Sequence, residues 1–329
     1  MLLYNIQHFG NWSWLPWLVR VLAHPANQIL LTYDGSEQDV NQIGTALSQA
    51  MPLLKRLDVE RSLPIRWCGP SQAAMQIEAL RRALWRNDWE FFINLSGTCT
   101  PLQSQTAIRE RLMHFHAAGY TVFLSAFQCR RSVTLPHETP GALIETRQLR
   151  RLTLRGNTGL LDQFNDPGFF PVTNPANRPY IMCAEPEDDS RVLAVAAPDD
   201  AELSFRQAYF NSIPHYCGRA WYILHRSACE KLVEFFDSER SADTLTAFLA
   251  SFEPDESLLP TVIMNELCVP LDKIWNENFR AFQGAPRRLD NETYETLLAK
   301  TEVKAMFARK VHHEMARSLR THVEQIVSE

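Results

Sequence analysis

Short apolar runs alternate with amphipathic stretches along the first hundred residues, and few architectures accommodate that pattern. Leu2 to Ile6 reads as a buried strand, and a Gly-Asn break then leads into WSWLPWLVRVLAHP, whose apolar spacing suits a helix ending before Pro25. QILLTYD at 28–34 is a second strand, and ALSQAMPLLKRL and SQAAMQIEALRRALW have helical periodicity. WEFFINLS at 89–96 is an apolar strand running into the turn-rich GTCTP. Strands that alternate with helices predict an α/β fold whose mainly parallel sheet is covered on both faces. Ligands are then expected where the C-terminal ends of strands open into loops.

At 329 residues the chain is read as one domain with a sizeable core. Hydrophobic residues at 45% and charged residues at 22% exclude wholesale disorder, collagen and coiled coil. A net charge of -5 and a pI near 6.1 argue against a nucleic-acid partner, while leaving room for a local basic pocket. Seven cysteines without a CxxC pair fit neither a disulfide framework nor a zinc site, so reduced thiols and a cytoplasmic location are expected. No apolar run is long enough for a transmembrane helix, though peripheral membrane contact stays open. The acidic segment 185–202 reads as a solvated surface excursion. From Thr301 onward, Val303, Phe307, Val311, Met315, Leu319, Val323 and Val327 recur every fourth residue, which predicts an amphipathic C-terminal helix over 301–327 packed on the domain.

Four segments, taken in order, carry a resemblance. They are HFGNWSWLPWLVRVLAHPANQILLTYD, WCGPSQAAMQIEALRRALWRNDWEFFINLSGTCTPL, IPHYCGRAWYILHRSACEKLV with SFEPDESLLPTVIMN, and FRAFQGAPRRL with MFARKV. This order resembles the core-2/I-branching β-1,6-N-acetylglucosaminyltransferases and the related peptide O-xylosyltransferases. The most specific matches are INLSG followed by PL, the G-x-x-W-x-x-L-x-R stretch at 218–226, PDES at 254–257 and FARK at 307–310. The resemblance implies a GT-A-type, Rossmann-like fold and an inverting, metal-independent transfer of a sugar, of the GlcNAc or xylose class, from a UDP-sugar to a hydroxyl of a glycan or other acceptor. Animal members are anchored Golgi proteins with disulfides. This sequence has neither feature, which suits a bacterial relative.

Inverting transfer needs a base for the acceptor hydroxyl, and one positioned carboxylate can supply it. The resemblance puts Glu256, the last residue of Pro254-Asp255-Glu256, in that role. Residue chemistry alone also accommodates a Pro at a helix start with acidic residues against the helix dipole. The diphosphate leaving group needs a cation or positioned donors. No Asp-x-Asp metal motif occurs in the chain, and the place after strand 89–96 reads Ser96-Gly97-Thr98-Cys99-Thr100. Resemblance instead implies basic contacts from Lys310 and from Arg287 or Arg288. Each contact is worth about 4 kcal/mol at 4 Å and an effective dielectric of 20. No metal or other cofactor is expected.

The nucleoside is expected at the mouths of the first strands, near His8 and Asp34, with Ser71 either a contact or the N-cap of the helix it opens. Acceptor residues correspond loosely to Glu145 and Arg150. Asp255 is grouped with them, and Trp221 either faces a sugar ring or fills the core. Two rivals from other classes stand beside this reading. One is an inactive nucleotide-sugar or glycan-binding protein of the same fold. The other is a glycoside hydrolase using Asp255 and Glu256, which adjacent residues diverging in direction serve poorly.

Overall fold

The computed structural model describes residues 1–51, 56–63, 65, 70–128, 180–185, 188–196, 201, 205, 208–210, 212–249, 254–270, 273–274, 279–281, 305–309, 321 and 323–325. Its centre is a six-stranded sheet built from β1 (Leu2–Phe9), β2 (Asn27–Asp34), β3 (Leu57–Arg61), β4 (Phe91–Ser96), β6 (Val122–Gln128) and β9 (Tyr216–His225). The strands lie in the order β3-β2-β1-β4-β9-β6. β1 pairs in parallel with β2 and β4, and β2 in parallel with β3, whereas β9 runs antiparallel to both β4 and β6. The sheet is therefore mixed but mainly parallel, as the sequence predicts.

Helices cover both faces. α1 (Leu15–Leu22), α2 (Glu37–Ala50) and α4 (Gln105–Ala117) pack on one side with Leu2, Tyr4, Ile6, Ile93 and Leu95. α3 (Pro70–Leu84), α5 (Arg226–Phe236), α6 (Ala242–Leu249) and α7 (Leu258–Glu266) pack on the other with Leu3, Leu30, Phe92 and Leu224. The split follows from strand geometry, since successive side chains point to opposite faces and both faces are apolar here. Local chemistry sets the helix ends. Ser36 and Asp39 form a reciprocal capping box at the start of α2, and Pro16 occupies the first turn of α1.

Two short sheets complete the described strands. β10 (Phe279–Ala281) pairs in parallel with β11 (Phe307–Arg309), which pairs antiparallel with β5 (Thr100–Pro101) directly after β4. β7 (Tyr180–Glu185) and β8 (Asp188–Ala196) form a hairpin, so the acidic excursion of the sequence reading is itself built on a strand, in keeping with its Val192–Val195 run.

Two helix expectations are corrected. The periodic C-terminal stretch is not helical throughout, because Phe307–Arg309 is a strand. Pairing with β5, some two hundred residues away, overrides the local spacing there, and Phe307 is buried edge-on against Tyr4 at 6.2 Å. Residues 310–320 lie outside the described set, while Thr321 and Val323–Gln325 are helical. The second correction concerns 46–57: the helix there begins earlier, at Glu37, and ends at Ala50, and Leu57 opens a strand.

One buried amide ties the helices of the first face to the sheet. The Gln105 carbonyl oxygen accepts from the Tyr4 hydroxyl at 2.6 Å and from the Asn27 amide at 2.9 Å, and its own amide donates to the Val21 carbonyl at 3.3 Å. Burial holds the Tyr4 phenol protonated far above its ordinary range. Gln105→Leu keeps the volume but leaves the Tyr4 hydroxyl without an acceptor, and urea unfolding is expected to show a loss of about 2 to 4 kcal/mol. Adding Tyr4→Phe should recover part of that loss, because the stranded hydroxyl is then removed while the Asn27 amide and the Val21 carbonyl still lack their Gln105 partner.

Candidate functional site

The order β2-β1-β4 reverses the direction of chain progression at β1. The C-terminal ends of β1 and β4 lie side by side there, the position at which open α/β sheets carry their ligand crevice. Below it, side-chain amides keep three strands in register. Asn5 donates to Asn94 at 2.7 Å, and Asn94 donates to the Ala220 carbonyl of β9 at 2.9 Å. Above it, the Gly97 amide reaches back to the Gln7 carbonyl at 2.8 Å, closing the β4 loop over the end of β1.

His8 and Asp34 stand on neighbouring strand ends, in register with Tyr33 and Phe9 respectively. The His8 imidazole lies 6.1 Å from the Tyr33 ring, and its Nε2 donates to the Asn11 carbonyl at 2.8 Å. Burial lowers its pKa, so the ring is neutral near pH 7. Tyr33 donates to the Gly10 carbonyl at 2.6 Å, and the two rings together hold the loop after β1. The Asp34 carboxylate accepts from the Ile65 amide at 3.1 Å and so fixes the chain after β3. Ser71 falls inside the first turn of α3, which starts at Pro70, and is not the cap of that helix.

Pro254–Glu256 form a 3-10 turn that packs against α3 and β9. Asp255 is buried and Glu256 is half-buried. The following helix, α7, is pinned to β9 through Thr261: its hydroxyl accepts from the Tyr216 amide at 2.9 Å and donates to the Tyr216 carbonyl at 3.0 Å. Glu256 thus precedes α7 and lies outside its helical turns, on an element braced from two sides.

A residue to which the sequence reading gave no role stands beside the loop after β4. β11 carries Arg309 to the loop after β4, and its guanidinium lies over the Trp221 ring at 4.3 Å, a cation–π contact. Its charge also reaches buried Cys99, where it opposes the rise in thiol pKa caused by burial. Arg309 therefore places a positive charge beside Ser96-Gly97-Thr98-Cys99, where many GT-A enzymes carry their metal-binding acids. FARK was the available signal, and only its Lys was assigned. One face of Trp221 is taken by Arg309. Arg287, Arg288, Lys310, Glu145 and Arg150 lie outside the described residues.

Among the described residues no group of three or more His, Cys, Asp or Glu side chains could hold a metal ion, and no helix is long and apolar enough to cross a membrane. Cys99, Cys229 and Cys268 are free thiols.

The glycine of INLSG is required by close approach. A Cβ at Gly97 would overlap the His8 imidazole. Gly97→Ala is expected to displace His8, lower the melting temperature and weaken nucleotide binding by at least about tenfold. His8→Ala in the same chain should restore the stability but not the binding, as read by thermal melting and titration calorimetry.

Residues 6–127, a little over a third of the chain, match the family described as Core-2/I-Branching enzyme. That segment runs from Ile6 in β1 to Phe127 in β6 and includes the C-terminal ends of β1, β2 and β4. No curated protein matches the sequence. Among solved structures, a crystal structure of S. aureus TarS aligns at 13% identity and a TM-score of 0.28, covering 43% of this chain and 24% of the TarS chain. The CMP:2-keto-3-deoxy-manno-octonic acid synthetase complexed with CTP aligns at 10% identity and a TM-score of 0.26, covering 74% of this chain and 82% of the other. At these scores neither likeness bears on function. The N-terminal part of the chain is thus similar to the Core-2/I-Branching enzymes, in agreement with the motifs that carry the resemblance in the sequence.

Proposed function

We propose that the protein is a glycosyltransferase that moves a sugar of the GlcNAc or xylose class from a UDP-sugar to a hydroxyl of a glycan or other acceptor, with inversion and without a metal ion. The observation that supports this reading is the strand-order reversal at β1, since the strand ends that meet there, with His8, Asp34 and the loop Ser96–Thr100, fall within the segment similar to the Core-2/I-Branching enzymes. In this reading the nucleoside lies across the ends of β1 and β2, by neutral His8 and Asp34. The 3-10 turn brings the Glu256 carboxylate to the acceptor hydroxyl, whose proton it takes as the oxygen attacks the anomeric carbon. The bond from that carbon to the diphosphate oxygen breaks, and Lys310 with Arg287 or Arg288 stabilises the charge that develops there. Arg309, held by Trp221, adds to the positive potential at the same place.

The test is transfer followed by mass spectrometry, from a panel of UDP-sugars to a panel of glycan acceptors. Glu256→Gln is expected to keep UDP affinity and to lose about 100-fold or more in turnover. Activity should persist in excess EDTA. Near-normal turnover by Glu256→Gln would remove Glu256 from the chemistry, and abolition by chelation with recovery on manganese would refute the metal-independent step. UDP-sugar binding with no transfer to any acceptor would favour the inactive binding protein.

A further inference from the structure

A surface helix normally turns charged side chains to water along its length, and α2 does so only in its first turn, at Glu37 and Asp39. From Val40 to Ala50 it carries no charged residue, although roughly two would stand in an average stretch of that length at this chain's composition. Asn41, Gln42, Thr45 and Gln49 nonetheless lie on its solvent side. A groove of about 700 Å³ runs between this face and the loop after β1. It is shallow and open to solvent, and it is lined by Trp12, Glu37, Gln38, Asn41, Gln42, Thr45 and Gln49. His8 and Tyr33 donate to the Asn11 and Gly10 carbonyls of the same loop, and Phe9, at the end of β1 just before it, is 77% exposed.

The lining defines the chemistry of its occupant. An amide offers both a donor and an acceptor, as a sugar hydroxyl does, and a carboxylate accepts from hydroxyls. An indole offers an apolar face and an N–H. The volume lies in the range of ligand sites. Among the described lining residues there is no cation to take a phosphate, sulfate or uronate. These residues also lack the cluster of aromatic, Met and Arg side chains that forms the core of a protein interface, since Trp12 and Ala46 are the apolar members among them.

We propose that this groove binds a short neutral oligosaccharide, as a glycan site separate from the nucleotide crevice and adjacent to it. The site stands independently of the transferase reading, because binding here involves no nucleotide. If both hold, the groove receives the part of an acceptor glycan that extends away from the reacting hydroxyl.

Titration calorimetry of the full chain against chitotetraose, cellotetraose, maltotetraose and xylotetraose, with tetragalacturonate as the acidic control, tests this. At least one neutral tetramer should bind, and the acidic one should not. Trp12→Ala should weaken that binding by at least about tenfold. Trp12 also packs against the core, so Thr45→Arg supplies a second variant. Thr45 is exposed, and its hydroxyl bonds locally, to the Asn41 carbonyl at 2.8 Å. A long cation there should block the groove to a similar degree while UDP affinity stays unchanged. Failure of every neutral tetramer to bind, equal binding by wild type and both variants, or equal binding of tetragalacturonate would each overturn the proposal. Loss of UDP binding in the wild type would instead count against the transferase reading alone.

Discussion

Everything in the molecule that bears on ligand binding depends on β1 being hydrogen-bonded on both sides, in parallel, to strands that come later in the chain. Its residues from Leu2 to Ile6 are fully buried, and a strand with both faces and both edges covered has no freedom of register. Because β2 lies to one side and β4 to the other, the ends of β1 and β4 meet at the reversal of strand order, with Gly97 of the β4 loop held against the end of β1. The amides of Asn5 and Asn94 lock this arrangement from within the sheet. A one-residue slip would turn these amides into apolar surroundings and carry Leu3 and Phe92 away from their helices, a cost that the native register avoids.

The proposed site would combine three elements from distant parts of the chain: the first strands with His8 and Asp34, the turn before α7 with Glu256, and the returning C-terminal strand with Arg309. His8 packs against Gly97 of the β4 loop, and Arg309, over Trp221, brings a positive charge that reaches Cys99 of the same loop. An anionic group near this loop would be drawn toward Arg309.

Much of the sheet was legible because its strands are continuous apolar runs, and a doubly covered parallel strand needs no other signal. The 28–34 and 89–96 segments, which become β2 and β4, are examples. Where local pattern and long-range pairing disagree, the sequence misleads. Phe307 sits in a four-residue apolar rhythm that reads as helix, yet its partner is Pro101, and nothing near Phe307 in the chain announces that pairing. Leu57 extends an apolar periodicity past Pro52, and its neighbour in β2 converts it to strand. The site was legible through motifs more than through physics. Gly97 was quoted as part of INLSG, but its reason, the imidazole of His8 packed against it, exists only in three dimensions. Arg309 shared a motif with Lys310, and its place over Trp221 became visible only once β11 was seen to return to β5.

The central claim is that the ends of β1, β2 and β4 form one nucleotide-sugar site, and hydrogen exchange in the presence and absence of a UDP-sugar measures it most directly. Slowed exchange should be concentrated at Gly10–Asn11, Asp34–Gly35 and Gly97–Cys99, three segments far apart in sequence and joined only by the sheet order. Exchange that is unchanged at these segments under conditions where the UDP-sugar is bound, with protection elsewhere, would contradict the account.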